Sequence, residues 1–166
     1  MRPLVSLLAV ASLLAGPALA PAALAEPCAR PTELQAFEVA SLKSELMVIA
    51  IACQAQERYN DFVARYRRDL QSGERVLNAY FARTAGRRAQ QRHDDYITNL
   101  ANTQSESGVQ QGTLFCQQHM AMFDEVMALK EGKELPSYAE SKSLAQPVAP
   151  AACPAPSKNL HTASDK

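Results

Sequence analysis

Hydrophobic residues recur at helical spacing through the first half of the chain. Val39, Leu42, Leu46, Ile49 and Cys53 follow one another at intervals of three and four residues, which places them on one face of a helix. The run from Leu46 to Cys53 is apolar on every side, so other helices should surround it. This segment predicts a helix at the centre of the core.

A second apolar set begins out of phase with the first. It consists of Tyr59, Phe62, Val63, Tyr66 and Leu70. On a continuous helix its face would be rotated by about 130° from the first face, because each residue turns the helix by about 100°. We therefore expect a bend at residues 54–57 and a second helix after it.

Glycine and proline divide the rest of the chain. No proline occurs between Pro31 and Pro136, and single glycines stand at positions 73, 86, 108, 112 and 132. This punctuation is typical of helices joined by short turns. It predicts helices at about 74–85 and 87–104, a loop at residues 105–112, and a last helix from Thr113 to about Lys130. The sequence thus predicts a small all-α bundle of about five helices.

The two ends of the chain differ from its middle. Residues 1–25 begin with Arg2, continue as LVSLLAVASLLA and finish in small residues, which is the layout of a secretory signal peptide cleaved after Ala25. Residues 136–166 hold five of the ten prolines with many serines and alanines, which predicts a flexible, disordered tail. We expect one helical domain at residues 26–135, without a transmembrane segment after cleavage, in a periplasmic or secreted protein.

The chain contains four cysteines, an even number that suits disulfides in an exported protein. Cys53 ends the most buried predicted helix, and Cys116 starts the last one on its apolar side. Cys28 and Cys153 lie beside prolines in the flanking segments. The expected pairs are Cys53 with Cys116 and Cys28 with Cys153, although the second pair of cysteines could also stay free or link two chains.

Charge is balanced overall but not locally. The formal net charge is zero, yet residues 58–92 contain nine arginines and three acidic residues. Arg65, Arg67 and Arg68 form a candidate anion-binding face, because a guanidinium group suits phosphate and carboxylate. A solvated face is the favoured interpretation, because these arginines point away from the apolar stripe of the second predicted helix. No nucleic-acid motif accompanies these arginines, so no nucleic-acid partner is expected.

The stretch TLFCQQHMAMF, residues 113–123, combines thiol, imidazole and thioether groups that suit zinc or copper. On a helix, however, His119 and Met120 fall inside the apolar face with Cys116 and Phe123. We interpret this stretch as one face of a core helix in which His119 needs a hydrogen-bond partner. His119 and Met120 remain the candidate metal or ligand residues, and no cofactor is predicted.

His93, Asp94 and Asp95 bring an imidazole next to two carboxylates. Adjacent residues do not share a helix face, which argues against a catalytic group. The sequence contains no GxSxG, HExxH or P-loop motif. The leading hypothesis is a non-enzymatic envelope protein that binds an unknown protein partner or protects against stress. A ligand or metal binder using His119 and Met120 is the alternative, and a small hydrolase around His93 comes third.

Overall fold

The computed structural model describes residues 27–147 and 150–154. The predicted signal peptide and most of the last twenty residues lie outside this described part. Within it, the chain forms seven α-helices linked by turns and short 3-10 segments. They are α1 (Pro31–Ala52), α2 (Gln56–Arg65), α3 (Arg67–Ala85), α4 (Ala89–Gln111), α5 (Phe115–His119), α6 (Ala121–Ala128) and α7 (Leu135–Ser141). The prediction of an all-α, disulfide-stabilised bundle is confirmed.

Helix α1 is the centre of the bundle, and α3, α4 and α7 pack around it. It begins at Pro31, whose missing N–H is not needed in the first turn of a helix. The carboxylate of Glu33 accepts a hydrogen bond from the backbone N–H of Arg30 at 2.7 Å and so caps this end. Leu42, Leu46 and Ile49 of the predicted stripe are completely buried.

The directions of the helices follow from their contacts. Phe37 of α1 packs on Tyr80 of α3, whereas Val39 lies beside Gly73, so α1 and α3 are antiparallel. Phe37 also packs on Tyr96 of α4, and Gln104 donates a hydrogen bond to Ser41 O at 3.0 Å, so α1 and α4 run in parallel. One end of the bundle therefore carries the C-termini of α1 and α4.

The predicted bend at residues 54–57 is a full reversal of the chain. Helix α1 ends at Ala52 and α2 begins at Gln56. Gln54 has a positive φ of 56°, a left-handed conformation that stops a helix. The amide of Ala55 donates to Ala50 O at 2.8 Å and closes the turn.

Two predicted boundaries are wrong. The helix break expected at Gly73 lies at Tyr66, between α2 and α3, and Gly73 is inside α3. The loop expected at residues 105–112 is the last part of α4, which continues to Gln111 and stops at Gly112 with a φ of 59°. Gly108 stays helical because it packs against Phe115, where a side chain would be crowded. Tertiary packing thus outweighs the low helix propensity of Gly73 and Gly108, which both face a neighbouring helix.

The folded part extends beyond residue 135, where we expected the tail to begin. Leu135 and Ala139 of α7 are fully buried against the core. Farther along, the amide of Ala29 donates to Ala151 O and the amide of Cys153 donates to Ala29 O, both at 2.8 Å. Pro136 did not prevent helix formation because it occupies the first turn of α7, where proline is tolerated.

Two hydrophobic cores fill the bundle. The main core joins α1 and α2 to α5, α6 and α7, and includes Leu46, Phe62 and Phe123. The smaller core joins α1, α3 and α4, and is largely aromatic, with Phe37, Tyr80 and Phe81. None of the helices in the described ranges has the length and apolar character needed to cross a membrane.

Candidate functional sites

Two disulfides tie the molecule at opposite ends. Cys53 and Cys116 join the end of α1 to the start of α5, and Cys28 and Cys153 join the segment before α1 to the last described segment. This pairing is the one that the sequence predicts. No cysteine of the described ranges is left as a free thiol.

His119 lies beside a buried carboxyl group of the central helix. Its Nδ1 is 3.6 Å from Glu45 Oε1, and the Glu45 side chain is only 6% exposed. On the other side of the ring, Nε2 is 2.8 Å from Gln111 Oε1. The Gln111 amide nitrogen donates to Ser107 O, which turns Oε1 toward the histidine. The hydrogen-bond partner of His119 is therefore Gln111, and Glu45 lies across the ring.

Burial shifts the titration of both groups in this pair. It raises the pKa of Glu45 to about 7, and it lowers the pKa of His119, because charged forms are disfavoured away from water. Because Nε2 donates its hydrogen to Gln111, Nδ1 presents a lone pair toward Glu45. The 3.6 Å between Nδ1 and Oε1 is longer than a hydrogen bond, so the two groups are neighbours whose neutral forms are both favoured by burial. The sequence signal that we missed was Glu45 itself, a carboxylate on the apolar stripe of α1.

Few side chains of residues 113–123 are placed as metal ligands. Cys116 is oxidised in a disulfide, and Met120 packs as a partly buried side chain against the main core. The ring of His119 lies 4.6 Å from that of Phe115. No group of three histidine, cysteine, aspartate or glutamate side chains in the described ranges is arranged to hold a metal ion.

His93 lies near two carboxylates, those of Glu74 and Asp94, so the expectation that both Asp94 and Asp95 point away from it is wrong for Asp94. Its Nε2 is 2.8 Å from Glu74 Oε1, and its Nδ1 is 3.3 Å from Asp94 Oδ1. The ring packs edge-on against Phe81. Asp95 does not join this cluster and instead lines a cleft on α4. The arrangement connects α3 to α4 through an imidazole.

The three arginines of the candidate anion-binding face have different roles. Arg65 donates a hydrogen bond to Leu129 O at 2.8 Å and so holds the end of α6 against α2. Arg67 is exposed beside Lys43 and Arg75, and Arg68 is exposed to solvent. Within the described part, Arg65 therefore has a structural role, whereas the side chains of Arg67 and Arg68 make no hydrogen bond.

An apolar groove of about 390 Å³ lies at the end of the bundle that carries the Cys53–Cys116 disulfide. We call it the apolar groove. It lies between α1, α4 and α5, and none of its lining residues is charged. They are Met47, Val48, Ile51, Ala52, Ala101, Ser105, Gly108, Val109, Gly112, Phe115 and Cys116.

Exposed apolar side chains concentrate around this groove. Ile51, Val109 and Leu114 are 66%, 80% and 52% exposed, and they are the large hydrophobic residues of the described part that face water. Ile51 and Val109 line the groove, and Leu114 directly precedes Phe115, which also lines it. Scattered exposed apolar residues are normal, but a cluster of them marks an interaction surface.

No family model, curated protein or solved structure matches this chain.

Proposed function

We propose that this protein is an exported, non-enzymatic binding protein that holds an apolar helix of a partner protein in the apolar groove. The observation that carries the proposal is the uncharged groove with Ile51 and Val109 exposed beside it. Monomeric proteins rarely expose a cluster of large hydrophobic residues unless that cluster binds a partner. The chemistry of the groove therefore defines the partner as a helix with an uncharged, apolar face.

The shape of the groove favours a helix as the occupant. Two long parallel helices, α1 and α4, form its sides, and an amphipathic helix can lie along such a channel. Ala101, Ser105 and Gly108 of α4, and Gly112 directly after this helix, line it. These small side chains, spaced by three and four residues, allow the backbone of a partner helix to approach closely.

The wall of the groove is held in place covalently. Cys116 lines it and is bonded to Cys53 at the end of α1. A groove that is already formed loses less conformational entropy on binding than a flexible one. Two disulfides and the signal-like residues 1–25 also support an oxidising compartment outside the cytoplasm, the periplasm or the exterior.

The proposal is tested by the binding of a labelled model helix, measured by fluorescence anisotropy. The probe carries leucines at positions i, i+3, i+4 and i+7, and serine and glutamine elsewhere, so that charge plays no part. Val109→Glu should weaken binding at least about tenfold, because the new carboxylate must be desolvated in an apolar contact. Ala79→Glu, an exposed change on α3, is the matched control and should bind as the unmodified protein does.

Several outcomes would overturn this proposal. One is the absence of binding by the unmodified protein, and another is equal binding by the Val109→Glu variant with an unchanged melting temperature. A dimer that Val109→Glu dissociates would assign the groove to a second copy of the chain instead. Sedimentation velocity on the same samples measures this directly.

A further inference from the structure

A second concave site lies at the opposite end of the bundle. It encloses about 470 Å³, within the range of small-molecule sites, about 300–1,000 Å³. Phe37, Tyr80, Phe81 and Tyr96 form its floor, and Pro27 and Pro150 stand at its wall. We call it the aromatic cleft.

The polar groups of the cleft come from one face of α4. Arg92, Asp95, Tyr96 and Asn99 all line it, at spacings of three, one and three residues that bring them to the same side of a helix. Arg92 and Asp95 are exposed, and neither forms an ion pair among the described residues. One positive and one negative group are thus available to a ligand, about one helical turn apart.

The hydroxyl group of Tyr96 has no hydrogen-bond partner although its oxygen is buried. Tyr80, its neighbour in the floor, donates to Pro27 O at 3.2 Å. A buried hydroxyl without a partner costs about 1–3 kcal/mol, so such groups usually meet a ligand or a water molecule. Burial also raises the pKa of Tyr96, which keeps the group protonated and able to donate.

The wall of the cleft is fixed by the second disulfide. Pro27 directly precedes Cys28, and Pro150 lies three residues before Cys153. Ala29 and Ala152 form a parallel bridge beside this bond. The segments that carry the two prolines are therefore held together, and the cleft depends on that link.

We propose that the aromatic cleft binds a free α-amino acid with an aromatic side chain. Arg92 binds the carboxylate of the ligand and Asp95 binds its ammonium group, since both charges of a zwitterion lie on one carbon atom. The ring of the ligand packs against the aromatic floor, where edge-to-face contacts are favourable. The Tyr96 hydroxyl supplies a hydrogen bond to the ligand. This site is separate from the apolar groove, and its existence does not depend on the function proposed there.

Calorimetric titration with three probes tests the assignment of charges. The probes are L-phenylalanine, phenethylamine, which lacks the carboxylate, and N-acetyl-L-phenylalanine, which lacks the ammonium charge. We expect L-phenylalanine to bind at least about tenfold more tightly than either analogue, because each loses one charge-assisted contact.

Charge-removing variants should reproduce the same selectivity. Arg92→Gln should weaken the binding of L-phenylalanine by about tenfold. It should leave the binding of phenethylamine unchanged, because that analogue has no carboxylate for Arg92 to contact. Asp95→Asn should weaken the binding of L-phenylalanine and leave the binding of N-acetyl-L-phenylalanine unchanged. Arg88→Gln and Asp94→Asn, neighbouring residues outside the cleft lining, are the matched controls.

Two further variants test the hydroxyl and the wall. Tyr96→Phe should weaken the binding of L-phenylalanine several-fold, whereas Tyr59→Phe, a change in the main core, should leave this binding unchanged. A Cys28→Ser/Cys153→Ser double variant should lose binding while the apolar groove keeps its model helix. The proposal is overturned if L-phenylalanine does not bind, if the three probes bind equally, or if Arg92→Gln weakens phenethylamine as much as the amino acid.

Discussion

A disulfide lies at each end of this bundle, but the chemical groups around the two disulfides differ. At the groove end, the Cys53–Cys116 bond stands beside an uncharged surface and a buried carboxyl group, Glu45, without a close cation. At the cleft end, the Cys28–Cys153 bond stands beside Glu33, whose two oxygens both bind Arg83. A buried carboxyl group is thus accommodated either as a neutral acid or as part of an ion pair, and this difference determines how its contribution to stability responds to pH.

Removal of each disulfide should have the largest effect. In the chain-entropy model, the 63-residue span of Cys53–Cys116 corresponds to about 4 kcal/mol and the 125-residue span of Cys28–Cys153 to about 5 kcal/mol. We expect the measured order to be reversed. The Cys53→Ser/Cys116→Ser variant should lose about 4 kcal/mol of unfolding free energy, because both cysteines pack against the main core.

The Cys28→Ser/Cys153→Ser variant should lose only about half as much, because residues 150–154 can then separate locally while the helices stay folded. Urea unfolding measures both free energies. Hydrogen exchange of the amides of Ala29 and Cys153 reports the local separation. A larger loss for the Cys28 and Cys153 variant would show that the two ends unfold as one unit.

The ion pair at the cleft end should have the next largest effect. Arg83 Nη2 is 2.5 Å and Nε 3.2 Å from the two oxygens of Glu33, and the Glu33 side chain is only 7% exposed. Arg83→Met leaves that carboxylate buried without a cation. Because a third of the Arg83 side chain is exposed, we expect a loss of about 2 kcal/mol, below that of a fully buried pair.

The matched control is Arg58→Met. Arg58 pairs with Asp124, whose side chain is 74% exposed, so this change should cost less than about 1 kcal/mol. Equal losses for the two variants in urea unfolding would mean that burial of Glu33 contributes nothing to the strength of its pair.

The two carboxyl groups should also respond to pH in opposite directions. Burial raises the pKa of Glu33, but hydrogen bonds from Arg83 and the Arg30 backbone, with the charges of both arginines, outweigh it and hold the pKa below its usual value. The folded state then releases this proton more readily than the unfolded state. Stability from Glu33 is present above the unfolded pKa of 4.5 and is lost as the pH falls through the folded pKa.

Glu45 has the opposite sign. Its folded pKa of about 7 lies above its unfolded value of 4.5, so between these values the folded state holds more protons and stability increases as the pH falls. Glu45→Gln removes this dependence and should make the protein more stable than the unmodified chain at about pH 8, by no more than about 3 kcal/mol. Near pH 5 the two should be alike.

Urea unfolding at both pH values measures this effect, with Glu57→Gln on the exposed start of α2 as the control. If Glu45→Gln is less stable than the unmodified chain at about pH 8, the ionised carboxylate is stabilised by an ion pair with His119 rather than destabilised by its burial.

The sequence alone predicts the core of α1, a bend after it and the Cys53–Cys116 pair, because these depend on the spacing of apolar residues and cysteines along single helices. It does not predict the contacts of His119, because the glycine pattern places Gln111 in a loop and only the extension of α4 brings it beside the ring. The role of Arg65 is not visible in the sequence either, since Leu129 O lies just after α6, 64 residues along the chain.

The misplaced boundaries have one physical cause. The intrinsic preferences of Gly73 and Gly108 predict helix breaks, but each glycine lies where a neighbouring helix covers it. A propensity difference of about 1 kcal/mol is smaller than the packing free energy of a buried helix. The apolar groove was also invisible in the sequence, because Ile51 and Val109 lie on different helices and resemble core residues.

The two glycines give the smallest predicted effect, and its sign should differ between them. A Cβ atom on Gly73 would lie 3.6 Å from Val39 Cγ1, an ordinary contact, whereas one on Gly108 would lie 3.2 Å from the ring of Phe115. Alanine is better than glycine inside a helix by about 0.5–1 kcal/mol. Gly73→Ala should therefore raise the unfolding free energy by about that amount.

Gly108→Ala gains the same helix propensity but must displace Phe115, whose ring also contacts His119 and lines the apolar groove. Phe115 is 4% exposed and so has little room to move, and crowding in a packed core commonly costs about 1–3 kcal/mol. We expect a net loss of about 1 kcal/mol and weaker binding of the model helix. A stabilised Gly108→Ala variant with unchanged helix binding would show that the groove end is loosely packed, and that its glycine is a tolerated residue rather than a required one.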